Sequence, residues 1–400
     1  MYNDGSSPTV EDCIINNNSS ISYGAGMFNY QNSNPTVKNC NFSGNDGAGT
    51  GYGGGMYNRH SSPTVENCIF SSNSSFILGS GMYNDQSNSL VKNCTFTGSS
   101  VSGSGGGMYN NTCNPRIEAC TFSNNSANSG GGMYNYDSFP VLENCTFTGN
   151  SASSNGGGIY NSNSSPSVTD CMFSGNSAIT NGKGGGMYNG AGSNPIIKNC
   201  TFSGNTAAGI GPASGGGGIY NEFGYPVIEN CTFSGNETEN KGGGIHNSGS
   251  GNSVIKNCTF SGNKAASGGG IYNTGCFPNL FGSILIGNYK TSDNSADEFY
   301  GSAFSAGSTD NLISGSTFTG TIGELFAHIG GDGKPELRDN GGAVKTLMIK
   351  PYTEARFTVP AGKEWAAGIA VPETDQRGYD RSPVAGGTAY MGAIDPRLAP

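Results

Sequence analysis

Charge is scarce in this chain: Asp, Glu, Lys and Arg make up 12% of its 400 residues, with a net charge of −9. Such a balance argues against nucleic acid or an anionic membrane surface as a partner. Long apolar runs are missing too, since no stretch approaches the ~20 residues of a membrane span, and direct membrane insertion is not expected. No window of ten residues carries the three-to-four-residue apolar spacing of an amphipathic helix, which leaves helical architectures without support. His60, His246 and His328 are the only histidines and no CxxC occurs, so neither a metal nor a cofactor is expected.

What is present is glycine, at 68 residues, and a repeat. Only 34% of residues are hydrophobic, which by itself would suggest disorder, but the apolar positions recur too strictly for that. A Gly-Met-Tyr-Asn element returns at Met27, Met56, Met82, Met108, Met133, Ile159, Met187, Ile219, Ile245 and Ile271, and Met1 occupies the same slot. A second element places Cys13, Cys40, Cys68, Cys94, Cys120, Cys145, Cys171, Cys200, Cys231 and Cys258 at intervals of 25 to 31 residues. An aromatic follows two residues later in nine of the ten copies, from Phe42 to Phe260, with Ile15 in the first. A period of this length means one small unit stacked on copies of itself, because a single unit buries too little apolar surface to stand alone.

Within the copy spanning 53–73, the residues read as three short strands separated by turn formers. Gly-Gly-Met56-Tyr57-Asn58 is the first, Thr64-Val65 the second and Cys68-Ile69-Phe70 the third, with Ser61-Ser62-Pro63 as the first turn. Val65 and Cys68 are three apart, so both face inward only if Asn67 between them adopts a left-handed conformation. The fold class this predicts is all-β, a right-handed parallel β-helix of about twelve three-strand coils with a small C-terminal β cap. At about 4.8 Å per coil the rod is on the order of 55 Å long. Met or Ile, Val, Cys and Phe form the core, and the glycine triplets supply positive φ and close backbone approach at the third turn. The ten equivalent cysteines read as buried, reduced, space-filling residues, because parallel Cβ vectors one coil apart suit a disulfide poorly. Cys113 and Cys276 lie outside that row at matching first-turn positions.

Outward positions form rows as well. Two residues before each Cys stand Glu11, Lys38, Glu66, Lys92, Glu118, Glu143, Thr169, Lys198, Glu229 and Lys256, a rank whose alternating signs favour register. Beside the inward Met or Ile, alternation predicts an outward aromatic strip of Tyr57, Tyr83, Tyr109, Tyr134, Tyr160, Tyr188 and Tyr220, continued by Tyr272, with Phe28 and His246 in the same slot. These tyrosines are the candidate ligand-binding residues, able to stack on sugar rings or anchor a protein; the competing reading has the rings pack on one another under loops. Around the buried Phe, pairs such as Thr95 with Thr97 and Thr146 with Thr148 resemble the Thr-x-Thr surface of β-helical antifreeze proteins, making ice binding a minor alternative.

No catalytic residues are expected. Carbohydrate-active β-helices need clustered Asp or Glu with Arg or Lys in a groove between coils. Here acidic residues are spread about one per coil, and Asp170, or Glu237 with Glu239, are only isolated surface carboxylates.

Gly184 to Tyr188 together with Phe202 to Asn205 resemble the paired GGA(I/L/V) and FxxN motifs of polymorphic outer membrane protein repeats, found in autotransporter adhesins. Further on, Asn294-Ser-Ala-Asp-Glu-Phe-Tyr-Gly301, Asn311-Leu-Ile-Ser314, Arg338-Asp-Asn-Gly-Gly342, Thr374-Asp-Gln-Arg-Gly378 and Met391-Gly-Ala-Ile-Asp395 resemble the choice-of-anchor Q domain of bacterial surface proteins. Tyr390-Met391 departs from the Asp-Ile pair usual there, and the Gly-Ser-Pro-Ala segment usual after Leu347 is missing. The resemblance implies a secreted or wall-attached bacterial protein. Charge supports a boundary near residue 275, because 23 of the 47 charged residues precede it and 24 follow in less than half the length. The expected division is β-helix repeats over 1–275, degenerate coils with an insertion over 276–320 and a cap over 321–400. In the last part, 344–349, 356–359 and 368–371 read as strands, Trp365 covers the final coil, and Asp375, Arg377, Asp380 and Arg381 pair to hold the cap. Met1 begins in mid-repeat without a signal peptide and Pro400 ends without a sorting segment, so both ends read as cut. The expectation is a monomeric, non-enzymatic, secreted or cell-surface adhesin or stalk that binds a host or environmental glycan or a surface protein. The alternative is a polysaccharide lyase or glycoside hydrolase of the pectate-lyase-like β-helix fold.

Overall fold

A computed structural model describes residues 1–49, 51–180, 182–308 and 311–314, together with two strands at Arg356–Thr358 and Thr388–Tyr390. The first four segments form one parallel β-helix. One coil shows the plan: Met108–Asn111 lies in sheet A, Arg116–Glu118 in sheet B, Thr121–Ser123 in sheet C and Ser126–Ala127 in sheet D. The four sheets hold 12, 11, 12 and 11 strands, each bonded in parallel to its counterpart one coil away. Equivalent residues stand in register, as where Met82, Tyr83 and Asn84 pair with Met108, Tyr109 and Asn110. Sheet D is an addition to the three strands expected per coil. Each of its strands comprises two residues, too few to show an alternating pattern. No helix among the described residues is long and apolar enough to cross a membrane.

Left-handed residues bend the coil where the sequence requires it. Asn39, Asn67, Asn93, Asn144, Asn199, Asn230 and Asn257 have φ between 49° and 53°, with Asp12, Ala119 and Asp170 in the same bend. Asn tolerates this conformation better than other residues with a side chain, so Ala119 at φ 50° carries a local strain. Gly105 opens its triplet at φ 73°, and a Cβ on Gly107 would come within 2.6 Å of the Gly132 carbonyl of the next coil. That approach is closed to every other residue.

Inward side chains make one continuous apolar column of Met or Ile, Val, Ile or Leu, Cys and Phe. The phenyl rings from Phe42 to Phe260 stack with centroids 4.5 to 5.0 Å apart and planes within 6°. Each aromatic pair adds about 0.5–1.5 kcal/mol beyond its area term. The cysteines are free, and all of the repeat row except Cys13 are buried. They also bond: the Cys94 thiol donates toward the carbonyl of Lys92 at 3.2 Å and accepts the amide of Cys68 at 3.4 Å. Cys113 takes a place in a row of first-turn serines, its amide donating to Ser138 Oγ at 3.1 Å. Burial pushes the Cys113 and Cys276 thiols up to about 11.

Two inward asparagine rows run parallel to this column. In sheet A, Asn3, Asn29, Asn58 and their successors to Asn247 each donate Nδ2 to the next Oδ1 at 2.7 to 3.0 Å, the last acceptor being Asn273. Between sheets C and D, Asn150 donates to Asn176 Oδ1 and to the Phe122 carbonyl, both at 2.9 Å, and accepts from the Asn125 amide. Satisfied in this way, a buried amide costs little; orphaned, it costs about 1–3 kcal/mol. The second row breaks at Ser99, whose Oγ is buried without a partner. It ends where the Glu298 carboxylate accepts from Asn288 Nδ2 at 2.5 Å and from Gly287 N at 2.9 Å.

The sheets continue past residue 275 through Asn279–Phe281, Ile284–Leu285, Phe299–Gly301 and Leu312–Ile313. Arg356–Thr358 pairs antiparallel with Thr388–Tyr390. The expected strands at 344–349 and 368–371, Trp365 and the charges at Asp375, Arg377, Asp380 and Arg381 lie outside the described residues, as do the motifs from Arg338 onward.

Candidate ligand-binding surface

Alternation turns the sheet A tyrosines away from the core, as expected, but they do not face solvent. Tyr57, Tyr83, Tyr109, Tyr188 and Tyr220 are buried, and Tyr134 and Tyr160 are half-buried. The expectation of an open aromatic strip is therefore corrected. The segment entering each glycine triplet folds across the rings, and Tyr52 and Leu78 pack on Tyr57, Tyr83 and Tyr109. Those covering residues are themselves bridged from coil to coil. The rings bind one another: Tyr109 and Tyr134 stack at 4.9 Å, Tyr134 and Tyr160 at 4.6 Å. Burial pushes the Tyr134 hydroxyl up to about 12.

His246 fits the same rank edge-on between Tyr220 and Tyr272, with centroids 4.5 and 5.0 Å away. Burial first, then the Lys241 and Lys183 charges, hold its pKa down to about 3, so the ring is neutral. Lys183 lies 4.9 Å from the Tyr220 centroid and pairs with Glu222 at 3.1 Å. Around His246, Lys183 and Lys241 thus stand in the bridging row that holds Tyr52, Leu78, Ser104 and Ser129 in earlier coils.

The sheet B charge rank makes ion pairs between coils: Lys38 with Glu66 at 3.4 Å, Lys92 with Glu118 at 3.6 Å and Lys198 with Glu229 at 3.0 Å. Where two acids are neighbours, Arg116 joins Glu118 and Glu143. On sheet C, Thr95, Thr121 and Thr146 are half-buried, whereas Thr201, Thr232 and Thr259 are buried. The hydroxyl strip is not open along its whole length. Asp170 takes the left-handed bend in place of Asn, with burial raising its pKa. Glu237 lies on sheet D and pairs with Lys264, and Glu239 is exposed in the following turn.

Exposed aromatics recur in one slot of the first turn. The residue before the turn proline is Ser7, Asn34, Ser62, Asn114, Ser165 or Asn194 in most coils, but Phe139, Tyr225 and Phe277 in three. These three are 52%, 58% and 57% exposed. A Ser or Asn in this slot accepts the backbone amide of the next coil, as Asn114 Oδ1 accepts from Phe139 N at 3.0 Å and Asn194 Oδ1 from Tyr225 N at 2.7 Å. An aromatic ring cannot, so each substitution forfeits an acceptor and exposes a large apolar group. Phe223 adds a further anomaly: it adopts φ 55°, rare for a bulky side chain, and is 54% exposed. Its ring lies over Gly249, where a Cβ would approach to 2.3 Å. At about 4.8 Å per coil, Phe139, Tyr225 and Phe277 are spaced by roughly 14 and 10 Å along the rod. Pro140, Pro226 and Pro278 mark the slot in the sequence, so its departures from Ser and Asn are legible there.

Residues 50–176 and 166–318 match the family described as right handed beta helix region, more than half of the chain in all. The chain belongs to that family. No curated protein and no solved structure matches it. For this β-helix, membership agrees with the stacked parallel coils; the fold serves enzymes and non-enzymes alike, so function is argued from the surface.

Proposed function

We propose that this β-helix is a non-catalytic adhesin or stalk, secreted or held at the cell surface, that contacts a glycan or a surface protein through its first-turn ridge. The observation that carries this reading is the placement of Phe139, Tyr225 and Phe277 in solvent, at the cost of a hydrogen-bond acceptor, in a slot that Ser and Asn fill elsewhere. Exposed aromatic rings offer large contact area to a protein or a sugar. The resemblance to polymorphic outer membrane protein repeats and to choice-of-anchor domains supports the surface setting, and the axial spacing suits an extended ligand lying along the rod.

The test is a glycan array probed with the purified chain, followed by product analysis on every hit. Binding without cleavage is expected, and the triple variant Phe139→Asn, Tyr225→Asn, Phe277→Asn should lose at least 30-fold, about 2 kcal/mol. Release of soluble oligosaccharides would instead favour a polysaccharide-degrading enzyme. Unchanged binding by the triple variant would remove the ridge from the account.

A further inference from the structure

The outward position of sheet D is a small hydroxyl residue through much of the rod, as at Ser126, Ser151 and Ser177, and then becomes Glu237, Lys264 and Tyr289 in three consecutive coils. The change coincides with a cavity of about 400 Å³ lined by Gly235, Glu237, Gly262, Lys264, Tyr289 and Asn294. This lies at the corner between sheets C and D, away from the first-turn ridge. Small-ligand sites typically occupy about 300–1,000 Å³. One wall is a hairpin that earlier coils lack: Lys290 N donates to Ser295 O at 2.9 Å, Asn294 N to Lys290 O at 3.1 Å, and Tyr289 bridges Ala296. At the rim, Gly235 has φ 63°, and a Cβ there would meet nothing within 4 Å.

We infer that this pocket binds a single neutral hexose residue. Lys264 Nζ and Glu237 Oε1 are 3.6 Å apart, attracted but too far for a hydrogen bond, so the ammonium retains donors and the carboxylate acceptors for a ligand. A pair of neighbouring hydroxyls satisfies both, because each hydroxyl donates and accepts. A singly charged ligand would neutralise one wall and repel the other. Tyr289 supplies an aromatic ring for the apolar face of a sugar, and Asn294 an amide for a further hydroxyl. The inference is independent of the ridge and holds whether or not the ridge binds.

Saturation-transfer NMR with the full chain and a panel of methyl hexopyranosides tests it. Transfer to at least one member at millimolar concentration is expected. The double variant Glu237→Ser, Lys264→Ser installs the residue found at Ser126, Ser151 and Ser177 of earlier coils and should weaken binding at least tenfold without lowering the melting temperature. The ridge triple variant should bind as the parent does, which separates the two sites. If the double variant does not fold, Lys264→Gln alone should still weaken binding at least threefold. No transfer to any hexoside, equal transfer with Lys264→Gln, or a preference for free amino acids over hexosides would each overturn the assignment.

Discussion

Two outward-facing rows of this rod contrast sharply. The sheet A tyrosines from Tyr57 to Tyr272 repeat almost without exception and are buried or half-buried, whereas the residue before the first-turn proline varies from coil to coil and is exposed wherever it is aromatic. Repetition here marks a structural role, because a ring that must stack on its neighbours is constrained in every coil. Departure from the pattern marks a surface free to serve a partner.

Breaking the regular rank should have the largest effect. Tyr109→Ala removes a buried ring from between Tyr83 and Tyr134 and should cost about 3–5 kcal/mol in urea unfolding while leaving ligand affinity nearly intact. Phe139→Asn should do the reverse: a restored acceptor for the next coil adds about 0.5–1.5 kcal/mol, and ligand affinity falls. If both variants lose stability, the contrast between the rows fails.

Next in size is the closure of the asparagine row by Glu298. Burial pushes this carboxyl up to about 7 from its usual 4.5, against the opposing pull of its Asn288 and Gly287 bonds, and raises neighbouring Asp297 as well. The folded chain therefore keeps a proton that the unfolded chain has already lost between pH 4.5 and 7. Stability should fall across that window as pH rises, by roughly 3 kcal/mol at most, and level off on either side. Urea melts at stepped pH would show the slope, and Glu298→Gln should flatten it.

Irregularity inside the rod should behave unlike irregularity on the ridge. Ser99→Asn completes the interrupted row between Asn73 and Asn125 and should gain about 1–2 kcal/mol with no change in binding. Smallest is Ala119→Asn, which should gain about 1 kcal/mol by relieving a left-handed alanine. A loss of stability in either variant would show that the repeat pattern is not the optimum it is taken for.

The fold was largely legible because the core positions are apolar and evenly spaced: Met108, Ile117, Cys120 and Phe122 announce their inward faces, and Asn67 its bend. Two things were not. The inward Asn150 and Asn110 look like surface residues until stacking supplies their partners, since a polar side chain one coil away is invisible to local alternation. The covering of Tyr83 depends on Tyr52 and Leu78, which sit in the segment of most variable length and composition, so no spacing predicts it.

The hydrogen bonds that join the coils run along the rod, from one winding to the next. A chain pulled at its two ends would therefore not shear whole sheets at once but peel winding by winding. Each one released, at 25 to 31 residues, adds about 90 Å of slack. A tether built like this lengthens stepwise under tension and dissipates work while its remaining windings hold their shape.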